Sequence, residues 1–279
     1  MTGRLIRLGH SPDPDDAFMF YGLASGKVDP SPYRFEHVLK DIQTLNEWAL
    51  EGRLEVTALS VHAYAYVSDR YALLPHGASI GVGYGPLVVA REALRQEALR
   101  ETTIAIPGRL TTAFLALRVC LGEFPFVEVP FDQILPAVAE GRVGAGLLIH
   151  EGQLTYRQHG LTAALDLGKW WHETTGLPLP LGANAVRRDL GEPAVRDLSR
   201  LLKASIRYGL EHRQEALTHA LQFGRGLDRT AADRFIGMYV NDYTLDFGVS
   251  GRRAVEVLLR MGWEEGVLPR CPVVRFAEA

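Results

Sequence analysis

The sequence predicts a two-lobed α/β fold with a ligand cleft between the lobes, on three observations. Strand-like and helix-like segments alternate from the N-terminus to about residue 190, the order in which strands line a sheet and helices cover it. The chain has 279 residues, too many for one small core and suited to one large or two medium domains. From about Gly191 the alternation gives way to long helical stretches. A smaller lobe over 91–186 is therefore expected between the two parts, 1–90 and 187–279, of a larger lobe.

The elements follow in order. RLIRLGH (4–10) reads as a strand, and DAFMFYGLASG (16–26) as a helix closed by Gly26. YRFEHVL (33–39) is a second strand. DIQTLNEWALEGR (41–53) is an amphipathic helix, with Ile42, Leu45, Ala49 and Leu50 at helical spacing. VTALSVHAYAYV (56–67) starts as a strand and runs into a helix through Ser60. YALLP and GPLVVAR add strands on either side of a Gly-rich connector, GASIGVGYGP. TTIAIPG, FVEVPF and VGAGLLIH are strands of the middle segment, with TTAFLALRVCLG and FDQILPAVAEG as its helices. WWHETTGLPLPLG (170–182) reads as a structured crossover whose aromatics belong to a core. Four long helical stretches then run from AVRDLSRLLKASIRYGLEH to SGRRAVEVLLRMGWEEG.

Composition excludes several function classes. A net charge of −3 argues against nucleic acid or anionic lipid as the main partner. The opening MTGRLIRLGHSPDPDD turns acidic and Pro-rich before a signal-peptide core can form. No apolar run approaches the roughly 18–20 residues that span a bilayer. Cys120 and Cys271 lie far apart outside any CxxC pattern, so no metal is expected. The chain reads as a cytoplasmic protein without membrane attachment.

Ligands of open α/β sheets bind beyond the carboxyl ends of strands, and four such ends are visible: GHSPDPDD, ALSVHA, IPGRLTTA and LLIHEG. In SPDPDDAF, Pro12 and Pro14 fix a turn, and Asp15 or Asp16 caps the helix and complements its dipole. A divalent metal site built on Asp13, Asp15 and Asp16 is the lesser alternative there. Thr111 and Thr112 open a helix after a strand, either as a cap or as the cradle of an anion. Ser60 occupies the same kind of position, without the GxSxG elbow of a serine hydrolase. GVGYGP precedes a strand rather than a helix, so it is no nucleotide loop. His150, where the apolar run Ala145–Ile149 stops, is either a general base facing the cleft or a loop histidine. Tyr239, Asn241 and Tyr243 are either a polar pocket rim or the end of a helix.

Taken together, SPDPDDAFMFYGL, DIQTLNEWALEGRLEVTALS, IAIPGRLTTAFLAL, AGLLIHEG, DLGKWWHETTGLPLPLG and YVNDYTLDFG resemble, in order, the 1,4-dihydroxy-6-naphthoate synthases of the futalosine route to menaquinone. The resemblance runs from about residue 5 to residue 250. It implies the type II fold of periplasmic solute-binding proteins. It also implies lyase-type conversion of cyclic dehypoxanthinyl futalosine, a small anionic substrate, without metal or redox cofactor; the sequence leaves monomer and homodimer both open. The family's proton-accepting histidine matches His150, and its substrate-contacting strand end matches Ala58, Leu59 and Ser60. Its Thr-Thr turn matches Thr111 and Thr112, its TLN asparagine matches Asn46, and its YVN segment gives Tyr239 and Asn241. Closure of the lobes would exclude water.

Two departures from the family pattern bear on charge. The usual opening is closer to SPCPNDTF, so Asp13, Asp15 and Ala17 stand for Cys, Asn and Thr. Ala58 stands where a lysine is common. More carboxylate and less ammonium weakens attraction for an anion unless a cation compensates, and Arg109 is the candidate. The alternatives are a non-catalytic solute-binding protein of the same fold and the sister activity, chorismate dehydratase. The imidazole favours an enzyme, because a binder needs no base.

Overall fold

A computed structural model describes residues 3–224 and 227–277 and arranges the strands in two sheets. In chain order they are β1 (Arg4–His10), β2 (Tyr33–Leu39), β3 (Val56–Ser60), β4 (Tyr71–Leu73), β5 (Ser79–Gly81), β6 (Leu87–Ala90), β7 (Ile104–Ile106), β8 (Phe126–Glu128), β9 (Ala145–Leu148), β10 (Thr162–Asp166) and β11 (Leu179–Arg187). The first sheet has the order β2-β1-β3-β11-β4, with β5 paired to β11. Its β1, β2 and β3 are parallel, and β11 runs antiparallel to β3, β4 and β5. The second sheet has the order β10-β6-β9-β7-β8. β7, β8 and β9 are parallel there, and β6 is antiparallel to both β9 and β10.

Strand pairing shifts the lobe boundaries read from sequence. β6 hydrogen-bonds between β9 and β10, so residues 87–90 belong with the smaller lobe. β11 lies between β3 and β4, so residues 179–186 belong with the larger one. The chain crosses between sheets at 82–86 and again at 176–178. The Gly-rich connector itself contains β5, and the crossover segment contains the second half of the helix Leu167–Thr175 and the start of β11. Pro180 and Gly182 argue locally against a central strand. The register shift between them is the irregularity that accommodates both.

Packing explains why the long helices lie where they do. One core cluster joins the facing sides of both sheets through the helices Val61–Val67 and Thr112–Leu121 and the fully buried Trp171. The Trp171 indole donates to the Pro178 carbonyl at 2.9 Å, so this aromatic is core, as its sequence suggests. A second cluster packs Ile6, Leu8 and Phe18 against the helices Glu192–Glu211, Arg213–Ala220 and Arg229–Tyr239. Each such aliphatic or aromatic side chain contributes roughly 1.5–3 kcal/mol on burial. The short helix Pro14–Met19 is thereby held against three others, which fixes the turn after β1. Among the described residues, no helix is long and apolar enough to cross a membrane.

Candidate active site

The carboxyl ends of β1, β3 and β9 and the start of the helix Thr112–Leu121 meet in one cleft between the sheets. The space between its walls, with the open solvent at its mouth included, is roughly 730 Å³. Its wall takes Ser11, Asp13, Asp15 and Asp16 from the turn after β1, Ala58–Ser60 from β3, and Thr111–Ala113 from the helix start. Ile149 and His150 come from the end of β9, Leu181–Asn184 from β11, and Phe235 and Tyr239 from the helix Arg229–Tyr239. No lysine or arginine lines it among the described residues.

His150 lies where the sequence places it, and its surroundings are specific. Its Nδ1 is 3.1 Å from Oδ2 of Asp13, with both side chains largely buried. The ring of Phe131 meets the imidazole edge-on, with centroids 4.3 Å apart. Asp13 occupies the cap position of the helix Pro14–Met19 but makes no side-chain cap bond. Its carboxylate meets the histidine instead, and Asp15 and Asp16, read from sequence as the cap, lie inside the first turn, where they complement the dipole without occupying the cap position. Asp16 accepts from the Ser11 amide at 2.7 Å and ties the turn together. Asp13, His150 and Glu151 each bring one ligand atom within 4.8 Å of the others, a grouping that separation along the chain conceals.

The carboxylates of this turn are under electrostatic pressure. Burial pushes Asp16 up to about 6, against the opposing pull of the Ser11 amide. Burial, then the charges of Asp16 and Asp13, raise Asp15 well above the ordinary carboxylate range. An aspartate whose folded-state pKa is raised contributes stability that is fully present below its unfolded value, about 4. That contribution is lost as pH rises through the folded value. Asp15→Asn is therefore expected to stabilise the fold at pH 8 and to bring no such gain at pH 4. Thermal melts of both proteins at the two pH values check this; an equal shift at both would reject it.

The remaining sequence candidates divide into wall and support. Ala58, Leu59, Ser60, Thr111, Thr112 and Tyr239 are wall residues. Asn46 is not: fully buried behind the wall, it accepts from the Ser60 amide and donates to Ser60 Oγ, both at 2.9 Å. Asn46 also donates to the Leu110 carbonyl at 3.3 Å, so it fixes a strand end rather than facing the cleft. Asn241 caps the helix Asp242–Leu245 and donates to the Ile80 carbonyl at 2.9 Å, again outside the wall. Arg109 points outward to Glu128 and over the Phe126 ring, so it supplies no positive charge to the cleft. The turn at 108–111 directs it to the surface.

Both threonine hydroxyls are engaged within the protein. Thr111 Oγ1 donates to the Gly108 carbonyl at 2.8 Å and accepts from the Phe114 amide at 3.3 Å, as a helix cap does. Thr112 Oγ1 accepts from the His62 amide and donates to the Leu181 carbonyl. Anion-binding capacity at this turn thus resides in first-turn N–H groups, which lack intrahelical acceptors. Thr111→Ala is expected to cost about 1 kcal/mol of stability and to leave ligand affinity unchanged, as denaturant melts and calorimetric titration would show.

Sequence reading missed three contributors. Asp13 was visible as a carboxylate, but its partner lies 137 positions away in the chain. Gln153 is buried, and its amide donates to the Tyr239 hydroxyl at 2.9 Å, tying the segment after β9 to the helix Arg229–Tyr239. Asn184 stands on β11 in GANAV, a lone amide in a small and apolar strand, which was the available signal. Burial pushes three other histidines down, His10 to about 3 and His62 and His76 to about 4, so these are neutral core groups.

Comparison with known proteins decides the family. Residues 6–264 match the family model described as menaquinone biosynthesis. The chain belongs to the menaquinone biosynthesis family. A curated relative from Thermus thermophilus, named 1,4-dihydroxy-6-naphthoate synthase, is 48% identical, with 96% of this chain and 97% of the relative covered. A Streptomyces coelicolor protein of the same name is 38% identical over 96% of each. Among solved structures, an Archaeoglobus fulgidus protein superposes with a TM-score of 0.91 at 48% identity, covering 94% of this chain and 98% of that one. The alkanesulfonate-binding protein of Xanthomonas axonopodis pv. citri superposes with a TM-score of 0.75 at 13% identity, covering 98% and 97%. That likeness establishes for this family member the periplasmic-binding-protein-like fold expected from its sequence.

Proposed function

We propose that this member of the menaquinone biosynthesis family converts cyclic dehypoxanthinyl futalosine to 1,4-dihydroxy-6-naphthoate, with His150 as the base. The observation that carries the mechanism is the approach of His150 Nδ1 to the Asp13 carboxylate at the cleft wall. A carboxylate opposite Nδ1 keeps the proton on that nitrogen, so the lone pair that accepts the substrate proton is on Nε2. Proton removal and expulsion of the sugar-derived fragment leave an aromatic naphthoate, and aromatisation supplies much of the driving force. The protein's contribution is then orientation and proton transfer.

Charge suggests how the substrate lies. Three aspartates on one wall suit hydroxyl donors of the sugar-derived ring, and the substrate carboxylate suits the N–H groups at the start of the helix Thr112–Leu121. The proposal places this lyase in the cytoplasm, on the futalosine route.

The deciding experiment incubates the purified protein with the cyclic futalosine derivative and, in parallel, with chorismate, and identifies products by mass spectrometry. Dihydroxynaphthoate from the first supports the proposal. A product from chorismate alone identifies the sister dehydratase, and binding without turnover identifies a solute-binding protein. Activity abolished by a chelator and restored by a divalent ion would recast Asp13, His150 and Glu151 as ligands.

A further inference from the structure

Asn184 is a wall residue that the proposed proton transfer does not use. It sits within β11, opposite Ala58 of β3, and is only 1% exposed. Asparagine is disfavoured in strands, and its neighbours Ala183, Ala185 and Val186 give no reason for an amide here. Its backbone is satisfied: the carbonyl accepts from the Leu74 amide at 2.8 Å. Its side-chain Nδ2 has no hydrogen-bond partner among the described residues. An unpaired buried donor is destabilising, and an apolar side chain at this position would avoid that cost.

The surroundings are shaped to admit this amide. Gly77, also on the wall, has a φ of +73°, and a Cβ there would stand 2.1 Å from Asn184 Nδ2. Ala58 keeps the facing position of β3 small. A second anion at this cleft would meet the charges of the aspartate turn, whereas a neutral oxygen would not. We propose that Asn184 is a specificity-determining residue whose side-chain amide donates a hydrogen bond to an uncharged ketone or hydroxyl oxygen of the substrate. Gly77 leaves room for the amide, and Ala58 keeps the facing position of β3 small. A cleft that leaves its own donor unpaired discriminates strongly against a ligand lacking the matching acceptor.

This inference rests on the cleft being the substrate site proposed above, and its test separates the two. Wild-type turnover of the cyclic futalosine derivative reports on the function. The ratio of variant to wild type reports on Asn184. Asn184→Leu and Asn184→Ala are compared for kcat, KM, melting temperature and calorimetric affinity for 1,4-dihydroxy-6-naphthoate. In folded protein well below its melting temperature, kcat/KM is expected to fall roughly 10- to 100-fold in both variants. Asn184→Ala, which removes the unpaired donor without adding bulk, is expected to leave the protein folded at the assay temperature. Values of kcat/KM within about twofold of wild type in both variants, whatever the melting temperature, would overturn the assignment, because a merely structural amide moves stability alone.

Discussion

His150→Ala is expected to lower kcat by at least about two orders of magnitude, the range lost when a positioned general base is removed. The variant should fold normally. His150 stands in a bend outside β9, and the strands that position it are held by cores to which the imidazole does not belong. Much of the substrate affinity should also survive, because Ser60, the helix start at Thr112 and the aspartate turn remain on the wall. Single-turnover kinetics with calorimetric binding of the product would show a loss in the chemical step. A purified variant with near wild-type kcat would remove His150 from the role of base.

Asp13→Asn is expected to have the second largest effect, through the histidine rather than through the substrate. An asparagine amide can present its NH2 group to Nδ1, which favours the tautomer with the proton on Nε2 and removes the accepting lone pair. In serine-protease triads the same exchange costs roughly 10⁴ in kcat. A loss of about 10²-fold or more in kcat, with KM nearly unchanged, is expected here. Asp13→Glu should recover part of the rate, since it keeps a carboxylate within reach of the ring. A structural role for Asp13 would instead lower the melting temperature in both variants and leave kcat of the folded protein intact.

The architecture was legible because its signals are local. Alternation and helical spacing give most of the strands and the four long helices, and turn residues such as Gly52, in the left-handed conformation, mark where helices stop. β11 was not legible, because its Pro180 and Gly182 oppose a central strand locally and only pairing with β3, β4 and β5 overrides them. The lobe boundaries moved for the same reason. Within the site, His150 was legible from a strand end, and Asp13 from its departure from the SPCPNDTF pattern, as an unexplained charge. What the sequence cannot express is that the two meet. Asn46 and Asn241 show the converse: motif residues whose amides brace the wall from behind.

The pairing of Asp13 with His150 has an implication for timing. The carboxylate follows β1 of one sheet and the imidazole follows β9 of the other, so each lobe carries half of the reactive group. The arrangement works as an interlock. Spreading the sheets apart withdraws the partner of Nδ1 at the same moment that it lets water reach Nε2. On the proposed mechanism, the imidazole keeps its carboxylate partner only while the sheets are drawn together. If His150 is the base proposed above, proton abstraction is tied to closure, and a spread molecule would have a dismantled base rather than an idle one.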